Sequence, residues 1–377
     1  MQTAICDMLD IEFPLLAFSH CRDVVAAVSR AGGFGVLGAS SHRPDDLDRE
    51  LSWIDDQVGG RPYGVDIVCP EKFDGKGMNL TLNQIEAMVP GLHKDYATAL
   101  LAENGISLDD IGDSAFTSVV DVGDEIGEKL LDVAFRHPIK LIANALGVPP
   151  DFMIQRGKAE GVPVAALVGA KEHAIKQVNA GVDILVVQGT EAGGHCGEVT
   201  TLVLVPEVIA AIRPVREVPV LAAGGIVTGR QIAAAVALGA AGAWTGSVWL
   251  TTEEAETAPH TVQKMLTATS RDTVRSQGRT GKFSRQLRSD WTDAWKPEAQ
   301  GPGALPLPLQ SILSENLLRR IDVLAENGHE GAQRLATYFV GQGVGLMERV
   351  RPAADVVREM MEDYLDAVER LSATLAN

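Results

Sequence analysis

The sequence predicts a closed (β/α)8 barrel, and three observations carry that prediction. Apolar runs of four to six residues alternate with segments of helical periodicity, the pattern of βα units around a parallel sheet. The runs number eight, the count at which such a sheet closes on itself. The turn after the first run reads Ala17-Phe18-Ser19-His20 and lacks the G-x-G-x-x-G that an open doubly wound sheet would place there, so that architecture is the runner-up.

Strands are expected over residues 13–17, 35–37, 63–68, 140–143, 162–167, 183–188, 219–222 and 243–245. Helices are expected over 23–31, 151–160, 171–180, 206–212 and 228–238; the later ones each end near a glycine or proline, which stops a helix. Residues 70–137 are far longer than a βα connection and contain a helical stretch at 82–101. They read as an ordered insertion over one mouth of the barrel. After Thr251 come a basic polar run, 275–288, and a proline-rich stretch, 301–308, expected as a small C-terminal helical lobe. In 352–375, Val356, Val357, Met360, Met361, Tyr364, Leu365, Val368 and Leu371 recur at helical spacing, a stripe that packs on the barrel or on a second subunit. The expected organisation is thus a barrel over 1–250, a substrate-side lobe over 251–345 and a terminal helix over 346–377, with a homodimer possible.

With 377 residues and a net charge of −17, the chain lacks the basic face that a sequence-independent nucleic-acid binder needs. Its four cysteines, Cys6, Cys21, Cys69 and Cys196, show neither a C-x-x-C pair nor the spacing of a zinc cage, so no metal is expected and a reducing cytoplasm fits. The N-terminus does not read as a signal peptide, and no window reaches the roughly 18 apolar residues that span a bilayer.

In such a barrel the loops after the strands converge on one ligand. Strand six runs into Gln188-Gly189-Thr190-Glu191-Ala192-Gly193-Gly194-His195-Cys196-Gly197, strand seven into Ala223-Gly224-Gly225-Ile226, and strand eight into Thr245-Gly246-Ser247. Glycines let backbone approach a flat or charged ligand closely. The last two loops predict a phosphate site, with backbone N–H groups at the N-terminus of the following helix and the hydroxyls of Thr245 and Ser247 as added donors. His195 is the candidate base or electrostatic partner, and the Gln188 amide suits the edge of a heterocycle. Glu191 reads as a solvated or structural carboxylate. Cys196 is no nucleophilic partner for His195, because neighbours on an extended segment point apart. His20, after strand one, is a second candidate. Asp66 is an acid inside a buried strand and needs a hydrogen-bonding partner from the protein or a cofactor.

Taken together, 188–195, 219–226, the Gly239-Ala240 leading to Thr245-Gly246, and Gly341-Gln342-Gly343 resemble the nitronate monooxygenase (2-nitropropane dioxygenase) family of FMN-dependent barrels, which also includes flavin-dependent enoyl-acyl-carrier-protein reductases. The resemblance covers most of the chain. It implies FMN contacted by Ala17, Asp66, Gln188, Gly189, Gly193, Gly194, Ala223, Gly224, Gly225, Thr245, Gly246 and Ser247, with His195 as the active-site histidine. It also implies oxidation of alkyl nitronates with O2. Two alternatives stand beside that: NAD(P)H-dependent reduction of an enoyl thioester or related activated alkene, towards which 197–201 also points, and a non-catalytic flavin-binding module. The chain departs from the family at Ala17-Phe18-Ser19-His20, where an Ala-Pro-Met type loop is usual, at Asp66, commonly asparagine, and in its long insertion.

Overall fold

In a computed structural model, described over residues 1–69, 71, 82–111, 124–297 and 299–374, eight parallel strands close a barrel. They are β1 (Leu15–Ser19), β2 (Phe34–Gly38), β3 (Tyr63–Asp66), β4 (Ile142–Asn144), β5 (Val164–Val168) and β6 (Ile184–Gln188), then, after a two-residue strand outside the barrel, β7 (Gly194–His195), β8 (Val220–Ala223) and β9 (Gly242–Thr245). Closure comes from β1 against β9, with Leu15, Leu16 and Ala17 opposite Ala243, Trp244 and Thr245.

Alternation along the strands separates two cores. Leu16, Phe34, Val36, Ala143, Ala165, Ile184, Val186 and Leu221 fill the barrel, where they meet Ile5, Cys6 and Leu9 of the N-terminal helix Ala4–Leu9. Leu15, Leu185, Val187 and Val220 point outward into the helical layer. Each fully buried aliphatic side chain contributes roughly 1.5–3 kcal/mol, which is why both faces of these strands are apolar.

Every expected barrel strand is present, with ends displaced by a residue or two. The first begins at Leu15 because Phe13-Pro14 makes a tight turn, Leu15 N–H reaching Phe13 O at 2.7 Å, while Pro14 O accepts from Ala243. The helix expected to start at Pro206 starts at Thr201, since the Glu191 carboxylate accepts from Thr201 N at 2.9 Å and supplies the missing cap. Pro206 therefore lies inside that helix.

The two irregular segments share a core. From the insertion, Val89, Ala97, Leu100, Leu101 and Ile106 pack against Trp291, Trp295, Leu313, Leu317 and Ile321. The expected helix at 82–101 is two, Leu82–Ala87 and Gly91–Glu103, divided at Pro90. The remainder of the expected insertion is partly outside the described residues; its last helix, Asp124–Ala134, lies on the barrel through Leu130, Leu131 and Val133.

Beyond Thr251 the chain is helical at Pro259–Thr267, Asp290–Ala294, Leu309–Glu326 and Glu330–Leu335. The basic run is not helical. It forms an antiparallel hairpin, β10 (Thr273–Ser276) and β11 (Ser284–Leu287), and β7 joins it as a third strand. On the terminal helix Ala353–Ala373, Val356, Val357, Met360, Met361 and Tyr364 are buried against the barrel layer, whereas Leu365, Val368 and Leu371 are exposed. Among the described residues, no helix is long and apolar enough to cross a membrane.

Candidate active site

A cavity of about 1140 Å³ lies over the C-terminal ends of the strands, its far wall made by the hairpin and the lobe. Ligand pockets commonly hold roughly 300–1,000 Å³, so this one has space for a cofactor and a second molecule. Phe18, Trp244, Leu167 and Leu250 give it apolar walls; Phe18 stacks on Trp244 with ring centres 6.2 Å apart.

Two strand ends form the first half of the site. Gly224 and Gly225 turn the chain after β8 with φ of 114° and 69°, values an L side chain resists. The N–H groups of Gly224, Gly225, Ile226 and Gly246 find no backbone acceptor among the described residues. A Cβ on Gly246 would enter open space. Such a cluster of free N–H groups is a nest for an anion. The N-terminus of the following helix, expected to supply such donors, is already used: Gln231 Oε1 accepts from Val227 and Thr228 N–H at 2.9 and 3.1 Å, and Asp363 takes Arg230 N–H at 2.7 Å. Thr245 is likewise spent, its hydroxyl donating to Leu16 O and accepting from Trp249 Nε1, both at 2.9 Å. Ser247 Oγ accepts from Gly341 N at 2.8 Å, which leaves its own hydrogen free to donate.

His195 anchors the second half. As part of β7 it stands opposite Ser284 of β11, and Gly194 opposite Arg285, so the glycine-rich loop that presents it is held by strand pairing. His195 Nε2 is 2.8 Å from Thr280 Oγ1, whose hydroxyl donates to Lys282 O at 3.2 Å. With that hydrogen committed, Nε2 carries the ring hydrogen and Nδ1 keeps its lone pair. Burial, aided by the Lys282 charge, lowers the imidazole pKa to about 4. A neutral histidine facing a cavity can accept a proton or a hydrogen bond from a ligand there. Cys196 is kept protonated by burial, consistent with its exclusion as nucleophile.

Gly193 is fixed by close approach, since a Cβ would lie 2.8 Å from Gly341 N. Gln342 N donates to Glu191 O at 2.8 Å, and a Cβ on Gly343 would lie 2.9 Å from Gly225 O. The Gly341-Gln342-Gly343 segment thereby clasps all three glycine loops. Glu191 is structural, as expected, its carboxylate holding Thr201 N and Oγ1.

Of the expected contact residues, Asp66, Gln188, Gly193, Gly194, His195, Ala223, Gly224, Gly225, Thr245, Gly246 and Ser247 line the cavity. Ala17 and Gly189 do not. Ala17 is fully buried in the outer core, and a Cβ on Gly189 would collide with Thr201 Oγ1. His20 lines the cavity with Nδ1 3.0 Å from Gly38 O, burial lowering its pKa. Asp66 is 3 % exposed and has no hydrogen-bond partner for its carboxyl among the described residues; burial alone raises its pKa to about 7.

The sequence reading missed the wall opposite. Arg275, Arg279, Lys282 and Arg319 face the cavity, with Arg279 paired to Glu315 at 2.9 and 3.0 Å and lying 4.3 Å over the Phe339 ring. Glycines at 278 and 281 inside the basic run were the available sign of a turn.

Over residues 3–363 the chain matches the nitronate monooxygenase family. It belongs to that family. A Mycobacterium tuberculosis protein, Rv1533, to which a monooxygenase activity is ascribed, is 51% identical over 374 residues, covering 98% of each chain. A Staphylococcus aureus protein ascribed to nitronate monooxygenase is 28% identical over 329 residues, covering 83% of this chain and 85% of its own. Among solved structures, nitroalkane oxidase from Streptomyces ansochromogenes superposes with a TM-score of 0.78 at 25% identity, covering 98% of this chain and all of that one. FabK from Thermotoga maritima superposes at 0.70 and 25% identity, covering 99% of each. As a member of this family the chain is a flavin-type oxidoreductase, which sets aside the non-catalytic alternative.

Proposed function

We propose that this chain is an FMN-dependent monooxygenase that oxidises alkyl nitronates with O2. The observation that carries the reading is the pairing, across one cavity, of four free N–H groups at 224–226 and 246 with the neutral His195 imidazole. The residues fit FMN: those N–H groups and the Ser247 hydroxyl suit its phosphate, the walls of Phe18 and Trp244 suit a flat ring, and Gln188 offers an amide to the ring's polar edge. When bound, the flavin supplies the electron transfer to and from substrate and O2.

The chain's own residues do the rest. His195 Nδ1, an acceptor in this tautomer, would take the proton from the nitrogen-bearing carbon of the neutral nitroalkane and so deliver the nitronate in place; a nitronate supplied as such has no such proton to lose. Thr280 holds the ring in the required tautomer. The Lys282 ammonium stands on the cavity wall and favours a negatively charged substrate. Lobe and hairpin close the far side and limit water.

A second reading, NAD(P)H-dependent reduction of an enoyl thioester, is favoured by the cavity's size and by the likeness to FabK. Anaerobic stopped-flow absorbance separates the two. Bleaching of the flavin by a nitronate supports the first; rapid bleaching by NAD(P)H, with recovery on adding an enoyl thioester, replaces it with the second.

A further inference from the structure

Asp66 is the one cavity-lining acid, among the described residues, without an ion pair: Glu71 pairs with Lys176, Glu198 with Arg275 and Glu315 with Arg279. It ends β3, with Gly38 of β2 and Ala143 of β4 as its register partners, and neither offers a polar side chain. Its neighbour in the next strand, Asn144, is turned to other partners, accepting from Cys69 N at 2.7 Å and donating to Gly147 O at 3.2 Å. An unsatisfied buried carboxyl costs on the order of several kcal/mol if charged. A buried group left without a partner in the protein calls for an explanation, and a ligand that satisfies it is one.

In the barrel order, β3 sits across the mouth from the β8 and β9 ends that carry the free N–H groups. A flavin whose phosphate occupied that nest would reach with its ring towards the opposite strands. Its pyrimidine edge presents one N–H donor flanked by carbonyl acceptors. A carboxylate has acceptors only and would repel the carbonyls. A carboxylic acid has one donor and one acceptor side by side and matches two adjacent ring atoms.

We propose that Asp66 binds the pyrimidine edge of the flavin as a neutral carboxylic acid, its carbonyl oxygen accepting from the ring N–H and its hydroxyl donating to the adjacent ring carbonyl. Cofactor binding then requires a proton on Asp66 and is coupled to pH. The inference rests on the flavin reading above. The titratable groups on neighbouring elements are His20 after β1, His42 after β2, the Glu71–Lys176 pair and His173; none of them contributes to the state of Asp66, which burial alone sets near pH 7.

The test is FMN binding to full-length apoprotein from pH 6 to pH 9, for wild type and Asp66→Asn, whose amide has the same donor and acceptor without a titration. The wild-type Kd should rise about tenfold per pH unit above 7, and that of Asp66→Asn should not. The ratio of the two cancels titration of the FMN phosphate and of the histidines. Calorimetry of the wild type at pH 8 in two buffers of different ionisation enthalpy gives an independent readout that needs no variant. It should show uptake of about one proton per FMN. Parallel pH profiles for the two proteins, or no proton uptake, overturn the role of Asp66 while leaving the flavin site standing. Failure of wild type to take up FMN at any pH overturns the flavin reading itself, and this inference with it.

Discussion

The two halves of the cavity are built differently. The side at 224–226 and 246 comes from the ends of adjacent barrel strands and uses backbone donors. The His195 side comes from a loop that leaves the barrel, pairs with a hairpin some ninety residues further on, and uses side chains. On the proposed reading, the comparison teaches that the fold itself furnishes a place for an anion, whereas a separately attached wall sets the chemistry. Changes to the first half should act on cofactor occupancy, and changes to the second on turnover.

The largest expected effect tests that division. Replacing His195 by Asn removes the proposed base and, with the neutral nitroalkane as substrate, should lower kcat by about 10²–10⁴, with flavin absorbance retained; unchanged turnover takes His195 out of the mechanism. The same residue predicts a pH limb. Its folded pKa of about 4 lies below the ordinary 6.5, so the imidazole stays neutral until the pH falls towards 4, and kcat should fall only there. The sign for stability follows: the unfolded chain takes up this proton near 6.5 and the folded one does not. The histidine's contribution to stability is therefore present above 6.5 and lost as pH falls from 6.5 to 4, which denaturation titrations of wild type and His195→Asn can compare.

On the other half, Gly246→Val should fold normally and purify without flavin, since its Cβ enters open space inside the nest and φ is −131°. Gly224→Val should lose flavin and stability together, because φ is 114° and a Cβ would lie 2.7 Å from Thr201 Oγ1. Thermal melts and the visible spectrum distinguish the pair; full flavin occupancy in both would remove the nest.

A smaller effect sharpens the division. Thr280→Val keeps the shape of the site but no longer accepts from His195 Nε2. Losing one such hydrogen bond, worth about 1 kcal/mol, should lower kcat by roughly fivefold and displace its acid limb with KM for FMN-saturated enzyme little changed. An unmoved pH profile would deny Thr280 its positioning role. Smallest of all, Ser247→Ala removes one donor among several and should weaken FMN by a few-fold without affecting kcat.

The barrel was legible because its strands are short apolar runs buried on both faces, and helices that end at glycine or proline punctuate them. The glycine loops were legible for the same local reason. The hairpin was not, because its strands are polar yet buried: Ser284 and Gln286 are fully enclosed and Arg285 nearly so, with Arg285 Nε donating to Thr190 O at 2.8 Å. No apolar alternation marks a strand whose partners are found only in the folded chain. The core shared by the insertion and the lobe escaped for a similar reason, since Leu101 and Trp291 are brought together by topology rather than by pattern. Thr245 shows the limit for a single site residue. Its position at a strand end was readable, but the indole that occupies its hydroxyl was not.

The clasp at Gly341-Gln342-Gly343 carries a consequence for biosynthesis. Domains form as the chain emerges from its N-terminal end, and the barrel's closing partners, Leu15 and Ala243, are both synthesised well before Gly341. A ribosome-bound chain can thus complete its cylinder while the three loops above it are still unfastened. The arrangement of the three loops is completed only once Gly341 has emerged.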